Sequence, residues 1–407
     1  MRVTTHIHSR SPLDATMDST DGTPRIGVVI WTSQHLGSEL HAALKALKWF
    51  DKGGRSRNER REQIGFPCLQ SSALTIEQMD ELRAVFPYQF EHEVLAVREV
   101  GPSVNPHDRL RKCALGWAGH QGAEPPGKLV ETLPNKWERL GDLIVLPIDA
   151  FQDDAWCERL EAASSSNRHE LWQNVATALG GTRLARQAQI MDNALRSPQL
   201  EMLYGEQTWV EFSDHGVKFG FDAQHVMFSA GNVTERHRIG GLNMQGETIV
   251  DAYAGTGYYT LPMLVRSGAL HVHACEMNPA SIDGLQWGAE ANNVADQLTV
   301  HQGDNQTTLP SLIGIADRCH LGLLPSSEAV WSHALNCLKP EGGRLHIHMN
   351  VEEGSIEEWC EQTISELRQL SKELGRVWTI EAEHLERVKS YAPRVLHIVL
   401  DVKCSTV

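Results

Sequence analysis

From residue 247 onward, short apolar runs alternate with longer stretches in which apolar residues recur every three or four positions. Runs such as "ETIVDAYAG", "HVHACEMN" and "LTVHQGDN" have the length of buried strands, and the stretches between them have the spacing of amphipathic helices. A long predicted helix at 355–374 is followed by two closing strands. Strands that alternate with helices indicate a mostly parallel sheet covered on both faces, so the predicted fold class is α/β.

The first half of the chain has a different pattern of apolar and polar residues. "RIGVVIWTS" at 25–33 predicts a strand, and "TIEQMDELRAVF" at 75–86 predicts a helix with Thr75 as its N-cap. The Gly- and Pro-rich stretch at 120–128 is typical of a linker. Two alternating runs at 209–229, joined by an Asp-His-Gly turn, predict a β-hairpin that leads into the second half.

Composition narrows the class of protein. Of the 407 residues, 41% are hydrophobic and 22% charged, and no apolar run approaches the roughly 18 residues that a membrane span requires. The eight cysteines contain no CxxC pair and the 20 histidines no HExxH motif, so we expect reduced thiols, a cytoplasmic location and no metal. The net charge of −15 argues mildly against a nucleic-acid partner, although a local basic face is compatible with one.

The stretch "DAYAGTGYYTLP", from Asp251 to Pro262, has the character of a nucleotide-cofactor loop. Asp251 ends the first predicted strand of the C-terminal sheet, and Gly255 and Gly257 form the turn into a helix, where ligands of open parallel sheets bind. A dinucleotide fingerprint would need a third glycine at position 260, which is Thr260 here. The missing glycine weakens the dinucleotide interpretation.

Acidic residues close the next two predicted strands as well. Glu276 can accept hydrogen bonds from ribose hydroxyls, and Asp304 with Asn305 could read an adenine edge. Acids at three successive strand ends form the usual pattern of an S-adenosylmethionine (SAM) pocket. Each acid could instead be a helix cap, which is the structural alternative.

Several longer segments resemble one family. They are "FSAGNVTERHRIG", "DAYAGTGYYTLPMLVRSGALHVHACEMNP", "NVADQLTVHQGDN", "LGLLPSSE", "LHIHMNVEE" and "VKSYAPRVLHIVLDV". On these motifs the chain resembles the eukaryotic tRNA wybutosine-synthesising protein two family over residues 130–407. That family is similar in fold to the tRNA (guanine-N1) methyltransferases, so the resemblance implies a class I SAM-dependent, Rossmann-like transferase domain.

The resemblance implies an unusual use of SAM. The family transfers the 3-amino-3-carboxypropyl group of SAM to a tricyclic modified guanosine at position 37 of tRNA-Phe and releases methylthioadenosine. All three carbons on the sulfonium are electrophilic, so orientation in the pocket decides which one is attacked. The methyltransferase relatives carry Asn-Leu-Pro at the fourth strand, where "GLLP" places Leu323. Loss of that polar group fits attack by a carbon of an already modified base, which needs no proton extraction from N1.

Alternatives to this activity stay open. N1-methylation of guanosine 37 would release S-adenosylhomocysteine instead of methylthioadenosine. A non-catalytic tRNA-binding module would bind tRNA without consuming SAM, and a decayed enzyme would also lack the polar group at Leu323. The intact acids and glycines disfavour the non-catalytic alternative.

The resemblance also implies roles for individual residues. In "FSAGNVTERHR" (228–238) the catalytic candidates are Asn232, Glu235 and Arg238, because Arg suits a carboxylate grip and Glu an α-ammonium group. Asn232 could instead cap a helix. Cofactor contacts are expected from Ser229, Arg236, Asp251, Gly255, Gly257, Tyr258, Glu276, Asn278, Asp304 and Asn305. Three histidines in predicted strands are expected to be structural: His346, His348 and His397.

The predicted organisation follows from these assignments. It comprises a disordered lead-in (1–24), an N-terminal α/β tRNA-binding unit (25–119), a middle tRNA-docking domain (129–240) and the SAM-binding catalytic domain (241–407). Arg183 and Arg186, which recur at near-helical spacing, and Lys389 of "VKSYAP" are expected to contact RNA. We expect a monomer that acts on the anticodon stem-loop of tRNA-Phe, with no membrane partner.

Overall fold

The computed structural model describes residues 25–33, 36–51, 63–70, 72–97, 105–120, 127–188, 199–226, 228 and 230–406. The predicted lead-in at 1–24 lies outside the described residues. The chain divides into two compact units, Met1–Val104 and Asn105–Val407.

The first unit is a small α/β unit built on a three-stranded antiparallel sheet with the order β2-β1-β3. Its elements are β1 (Arg25–Ser33), α1 (Gly37–Ala46), β2 (Gln63–Pro67), α2 (Ile76–Val85) and β3 (Glu91–Val97). Thr75 begins α2 through a capping box, in which its side chain accepts from the Gln78 backbone N–H and the Gln78 side chain accepts from the Thr75 N–H. The predicted strand at 25–33 and the predicted cap are therefore confirmed.

The second unit begins with a four-stranded sheet of order β4-β5-β6-β7, packed against helices. Its elements are α3 (Pro106–His120), α4 (Gly127–Glu131), β4 (Glu138–Leu140), β5 (Leu143–Leu146), α5 (Asp154–Ala162), α6 (Ser165–Leu179), β6 (Arg183–Gln187) and β7 (Leu200–Tyr204). Gly180 ends α6 in the left-handed conformation (φ 85°), and Arg183 and Arg186 lie on β6, which pairs with β5.

A two-stranded hairpin connects this sheet to the larger one. β8 (Trp209–Asp214) and β9 (Val217–Asp222) pair in antiparallel register across the two-residue turn of His215 and Gly216. Both turn residues have positive φ, 50° and 80°, as the type I′ turn favoured by hairpins requires. The predicted hairpin is confirmed.

The C-terminal sheet has seven strands in the order β12-β11-β10-β13-β14-β16-β15. Its strands are β10 (Thr248–Asp251), β11 (His271–Glu276), β12 (Leu298–Gln302), β13 (Arg318–Leu321), β14 (Gly342–Glu352), β15 (Trp378–Ala392) and β16 (Val395–Thr406). Its helices are α7 (Val233–Gly241), α8 (Thr260–Val265), α9 (Pro279–Ala291), α10 (Asn305–Thr308), α11 (Trp331–Cys337) and α12 (Ile356–Glu373). β16 runs antiparallel to β14 and β15, whereas the pairs formed by β10 to β14 are parallel. The strand order reverses at β10, which is where open α/β sheets bind ligands.

The two faces of this sheet differ in chemistry. One face carries a continuous apolar core in which Leu345 and Ile347 of β14 pack with residues of α11 and α12 such as Trp331 and Leu367. On the other face, the paired strand positions His320, His346 and Asp401 place buried polar side chains beside α7. The predicted α/β class with a Rossmann-like C-terminal sheet is confirmed, and one face of that sheet is adapted for polar chemistry.

The close packing of α9 against β9 at Gly284 and the open space beside Gly116 in α3 predict opposite effects of alanine at these two positions. A Cβ at the buried Gly284 would lie 2.8 Å from the Gly220 carbonyl oxygen and 2.9 Å from Phe221 Cβ, whereas a Cβ at Gly116 in α3 meets open space. We expect Gly284→Ala to lower the free energy of unfolding by about 1–3 kcal/mol and Gly116→Ala to raise it by about 0.5–1 kcal/mol. Urea unfolding measures both, and equal effects of the two substitutions would contradict this packing.

Candidate functional site

The loop after β10 is held by a buried carboxylate. Asp251 is fully buried, and its Oδ2 accepts a hydrogen bond of 2.7 Å from the Thr260 hydroxyl, while its Oδ1 accepts from the Tyr253 backbone N–H at 3.3 Å. Thr260, which counted in the sequence only as a missing glycine, thus joins the start of α8 to the end of β10. The acid and the loop form one rigid element at the carboxyl end of the sheet.

Glu276 organises the same loop from the neighbouring strand. Its Oε2 accepts from the Gly255 N–H at 2.8 Å, and its Oε1 accepts from the N–H groups of Met277 and Asn278 at 2.9 and 2.7 Å. Burial raises the pKa of the Glu276 carboxyl, and these three donors oppose that rise. Gly255 adopts φ +54°, and the space where a Cβ would stand is open. This open cradle fits a ligand that approaches the backbone closely.

The other predicted cofactor residues at the strand ends act as helix caps. The Asn278 side chain accepts from Ala280 N–H at the start of α9, and the Asp304 side chain accepts from Gln306 N–H at the start of α10. Asn305 donates its amide to the Ala252 carbonyl at 3.3 Å, which ties α10 to the loop. Ligand contacts of these side chains stay predictions.

Arg236 and Tyr258 join the hairpin to the loop. Arg236 is buried. Its Nε donates to Asp214 Oδ2 at 2.7 Å, and its Nη2 lies 2.6 Å from the same oxygen, at the end of β8. Its guanidinium lies 5.3 Å from the ring centre of Tyr258, which stacks on Phe228 at 4.5 Å. The structure therefore gives both residues a packing role, and their cofactor contacts stay predictions. Ser229 lies outside the described residues.

The catalytic candidates Glu235 and Arg238 form part of a buried ion triad. Arg238 donates to both oxygens of the fully buried Glu235 at 2.7 and 2.8 Å, and to both oxygens of Asp401 on β16 at 2.7 and 3.0 Å. Burial raises the pKa of the Glu235 carboxyl although Arg238 opposes this. For Asp401, burial alone would raise the pKa, but His346 and Arg238 lower it below its usual range.

Asn232 and Asn350 present buried hydrogen-bonding atoms with no partner among the described residues. Asn232 stands at the N-cap of α7 without making the side-chain cap that its sequence position suggested, and its Oδ1 is buried and unpartnered. On β14, both amide atoms of Asn350 are buried and unpartnered. The Asn350 backbone N–H donates to the Pro325 carbonyl, so this amide lies beside "GLLP". Unmet hydrogen bonds of this kind mark a place for a polar ligand.

Four histidines line the same face, and three of them were expected to be structural. His346 donates from Nδ1 to Asp401 at 2.5 Å and accepts at Nε2 from Arg318 at 2.7 Å. His320, His348 and His397 contact one another through ring nitrogens. The sequence pattern that indicates the polar face of β14 is the period-two run "HIHMN", which places positions 346, 348 and 350 on one face of a strand.

The predicted RNA contacts are distributed over the second unit. Arg183 is held by Asp142, and the buried Arg186 donates to Glu201 at 2.6 Å and to the Ala150 carbonyl at 2.9 Å. Lys389 on β15 is half-buried, and burial lowers its pKa. Contacts of these three residues with RNA stay predictions.

The glycine-containing loop after β10, the acids at the ends of the strands and the strand order together define a Rossmann-like transferase domain of the SAM-dependent type. The TRM5/TYW2 methyltransferase domain model matches residues 210–376, and the TYW2 N-terminal domain model matches residues 122–208. The chain is 34% identical over 444 residues to the tRNA wybutosine-synthesizing protein 2 homolog of Bos taurus, covering 95% of this chain and 98% of that protein. The chain therefore belongs to the tRNA wybutosine-synthesizing protein 2 (TYW2) family, as its motifs predicted.

Two other proteins are similar to this chain over different shares of their own length. The chain is 43% identical over 300 residues, or 74% of its length, to the tRNA wybutosine-synthesizing protein 2/3/4 of Arabidopsis thaliana, but it spans only 29% of that protein. The crystal structure of Pyrococcus horikoshii TYW2 in complex with MeSAdo superposes with a TM-score of 0.57 at 28% identity, covering 72% of this chain and 99% of that one. No helix in the described ranges is long and apolar enough to cross a membrane.

The buried histidines predict a loss of stability in mild acid. Burial lowers the pKa of His346 to about 4, against about 6.5 for an unfolded chain, so this residue takes up a proton on unfolding between these pH values. His397, also held at about 4 by burial, behaves in the same way. We expect stability to fall from pH 7 to pH 5, by up to about 1.4 kcal/mol per pH unit for each such histidine. Asp401 does not contribute to this window, because its pKa is lowered from a value already below it.

Calorimetric melting at several pH values measures this slope. Replacing His346 by Gln removes one titrating group and should reduce the slope by about one proton equivalent. A slope that is unchanged in the variant, or stability that rises toward acid, would contradict the assignment.

Proposed function

We propose that this protein transfers the 3-amino-3-carboxypropyl group of SAM to a carbon of the tricyclic modified guanosine at position 37 of tRNA-Phe, with release of methylthioadenosine. The observation that carries the proposal is the apolar exit of β13, where Leu323 is 37% exposed and Pro325, two residues further on, accepts from the backbone N–H of Asn350, whose amide has no partner among the described residues. The family supplies the reaction class, since its members are named for wybutosine synthesis.

The residues present fit SAM. Glu276 and the open backbone at Gly255 suit the adenosine half, and Asp251 with Thr260 fixes the loop between them. When bound, SAM supplies an electrophilic carbon next to a positively charged sulfur. The chain's task is to orient that carbon toward the base and to exclude the other two.

Asn350 and Asn232 are the best-placed groups for the amino-acid end of SAM. An amide can donate to a carboxylate and accept from an ammonium group, and these two amides have capacity to spare. Arg238 has none, because both of its donor edges are occupied by Glu235 and Asp401. Glu235 and Arg238 therefore act in this proposal by holding α7 in place.

The absence of a polar side chain at Leu323 favours carbon alkylation over N1-methylation. A guanine N1 must lose its proton before it can attack a methyl group, which requires a base and a polar orienter beside the ring. A ring carbon attacks first and loses its proton afterwards, so an apolar wall at Leu323 is compatible with it. N1-methylation of guanosine 37 remains the competing activity, and a non-catalytic tRNA-binding module is the third possibility.

The tRNA partner rests on the family name and on the location of basic residues. Lys389 lies on β15 next to the start of α7, since a Cβ at Gly231 would stand 2.8 Å from its Nζ. Arg183 and Arg186, the other two candidates for RNA contacts, are paired with the carboxylates of Asp142 and Glu201. The N-terminal and middle regions (25–119 and 129–240) would dock the anticodon arm, and a cytoplasmic monomer is proposed on the same grounds.

The product decides between the activities. Incubation of the protein with SAM and tRNA-Phe that carries the tricyclic precursor should give methylthioadenosine and a nucleoside heavier by one aminocarboxypropyl group. Mass spectrometry of nucleosides and sulfur products measures both. S-adenosylhomocysteine together with a gain of one methyl group would instead establish a methyltransferase, and binding without turnover would leave only the binding module.

Because the Asn350 amide has no hydrogen-bond partner among the described residues, its removal should weaken SAM binding without lowering stability. Asn350→Ala removes no side-chain hydrogen bond among the described residues, so the melting temperature should stay unchanged, while SAM affinity should fall roughly tenfold through loss of a hydrogen bond to a charged group.

Ser164→Ala provides the matched control. The Ser164 hydroxyl caps α6 by accepting from Asn167 N–H, so its loss should cost about 1 kcal/mol of stability and leave SAM affinity unchanged. Calorimetric melting and titration of SAM measure both quantities. An Asn350 variant that binds SAM normally would remove this residue from the proposed site.

A further inference from the structure

The hairpin formed by β15 and β16 turns at the same edge of the C-terminal sheet as the cofactor loop. β14 runs parallel to β13, and β13 runs parallel to β10, so the carboxyl ends of these strands share one edge. Glu352 at the end of β14 is in register with Val395, the first residue of β16, and Val395 is in register with Ala392, the last residue of β15. The two residues between them, Pro393 and Arg394, therefore form a turn on the side where open α/β sheets bind ligands.

Tyr391 presents an aromatic ring to solvent beside this turn. Its side chain is 59% exposed, the highest value among the Tyr, Trp and Phe residues that the structure describes. The register between β15 and β16 shifts between Ser390 and Ala392, so the strand pairing passes over Tyr391. Bulges of this kind re-aim a side chain at the rim of a sheet. An exposed ring at such a rim can stack on an unpaired nucleotide base.

Arg394 occupies a backbone conformation that favours glycine. Its φ is 63°, in the left-handed region, where a side chain raises the conformational energy and glycine does not. The turn itself needs only the backbone, because the Arg394 carbonyl accepts from the Glu353 N–H at 2.9 Å. The residue is exposed, and its guanidinium forms no ion pair with Glu352, Glu353 or any other described residue. An arginine kept at a strained position with its charge unpaired points to a binding partner for that charge.

Lys389 joins the hairpin to the place proposed for SAM. It is in register with His397 on β16, which is in register with Asn350 on β14. Its Nζ lies against the turn before α7, where a Cβ at Gly231 would stand 2.8 Å away. β15 is two strands from β14, or about 10 Å at the usual strand spacing, so the hairpin flanks the place proposed for the amino-acid end of SAM.

We propose that the end of the β15–β16 hairpin binds the anticodon loop beside the modified guanosine, with Tyr391 stacked on a neighbouring base and Arg394 bound to a phosphate. This inference rests on the proposed function, because it takes the anticodon loop of tRNA as the partner. The guanosine must reach SAM at the carboxyl edge of the sheet, so the nucleotides next to it pass over the side chains that are exposed along that edge.

Single-stranded RNA suits these two side chains. Unstacked bases are bound by aromatic rings and phosphates by cationic side chains, and neither contact needs a groove of a double helix. The net charge of −15 repels RNA overall, so attraction depends on individual cations that have no carboxylate partner. Arg394 is such a cation, at the edge that the loop approaches.

Substitutions at the two positions test this contact in the full-length protein, with direct binding of tRNA-Phe that carries the tricyclic precursor. Tyr391→Ala removes the ring, and we expect tRNA affinity to fall roughly tenfold, whereas Tyr391→Phe keeps the stacking face and should bind almost normally. Arg394→Gly removes the cation and relaxes the backbone at the same time. We expect its tRNA affinity to fall several-fold, with a shallower salt dependence, while the melting temperature stays unchanged or rises.

Two exposed residues at the opposite edge of the same sheet provide the controls. Leu270, directly before β11, is 61% exposed, and Lys403 is exposed near the end of β16. Leu270→Ala removes an apolar side chain and Lys403→Ala a cation, and both should leave tRNA affinity unchanged. SAM affinity, measured by calorimetric titration, should be unchanged in every variant.

Normal tRNA affinity in Tyr391→Ala and Arg394→Gly would overturn the contact, and so would equal losses in the two controls. A loss in Tyr391→Phe as large as in Tyr391→Ala would rule out stacking, and a loss that accompanies a lower melting temperature would indicate a structural role instead. The wild-type product is scored separately. S-adenosylhomocysteine would overturn the proposed transfer while leaving the tRNA contact standing, and a wild type that does not bind tRNA would overturn both.

Discussion

Arg238 between Glu235 and Asp401 is the constraint on which the polar face of the sheet depends. The two carboxylates are almost completely buried, and without the cation each would be an uncompensated charge in the interior. Breaking such a pair typically costs about 3–5 kcal/mol, much more than forming it contributes. The triad joins α7 to β16 across 163 positions of sequence, and it thereby fixes the turn at Asn232 above the histidines and beside Lys389.

Most of the fold could be predicted because local periodicity and tertiary structure agree. The alternation of apolar runs after residue 247 gave the strands of the C-terminal sheet, and the Asp-His-Gly turn gave the hairpin. The segment "TRLARQ" shows where this agreement ends. Its arginines have a spacing compatible with a helix, yet Gly180 ends α6 and the segment completes a sheet beside β5, a pairing that no local pattern contains.

The kind of site could be predicted from the sequence, but the contacts that its side chains make could not. Acids at strand ends can be read from the sequence, whereas their partners depend on strand order. Glu276 organises the loop through the backbone N–H groups of Gly255 and Asn278, and its contact with a ribose stays a prediction. Asp401 was missed because nothing in "HIVLDV" distinguishes a structural aspartate from one that reaches α7. The pattern "HIHMN" was readable, but the rings that complete its line stand on β13 and β16, which lie beside β14 only in the folded sheet.

The proposed carbon alkylation and the competing methylation of a ring nitrogen make different demands on the polar groups of a site. A nitrogen nucleophile must be deprotonated before it attacks, so it needs a base and a polar orienter, whereas the segment after β13 carries the apolar, 37% exposed Leu323. A carbon nucleophile releases its proton only after the new bond has formed, and the acceptor can then lie deeper, behind the ring. The exit of β13 is apolar at Leu323, and β14 and β16 carry buried amide and imidazole atoms without partners among the described residues. This distribution of polar groups is compatible with the order of steps that a carbon nucleophile requires.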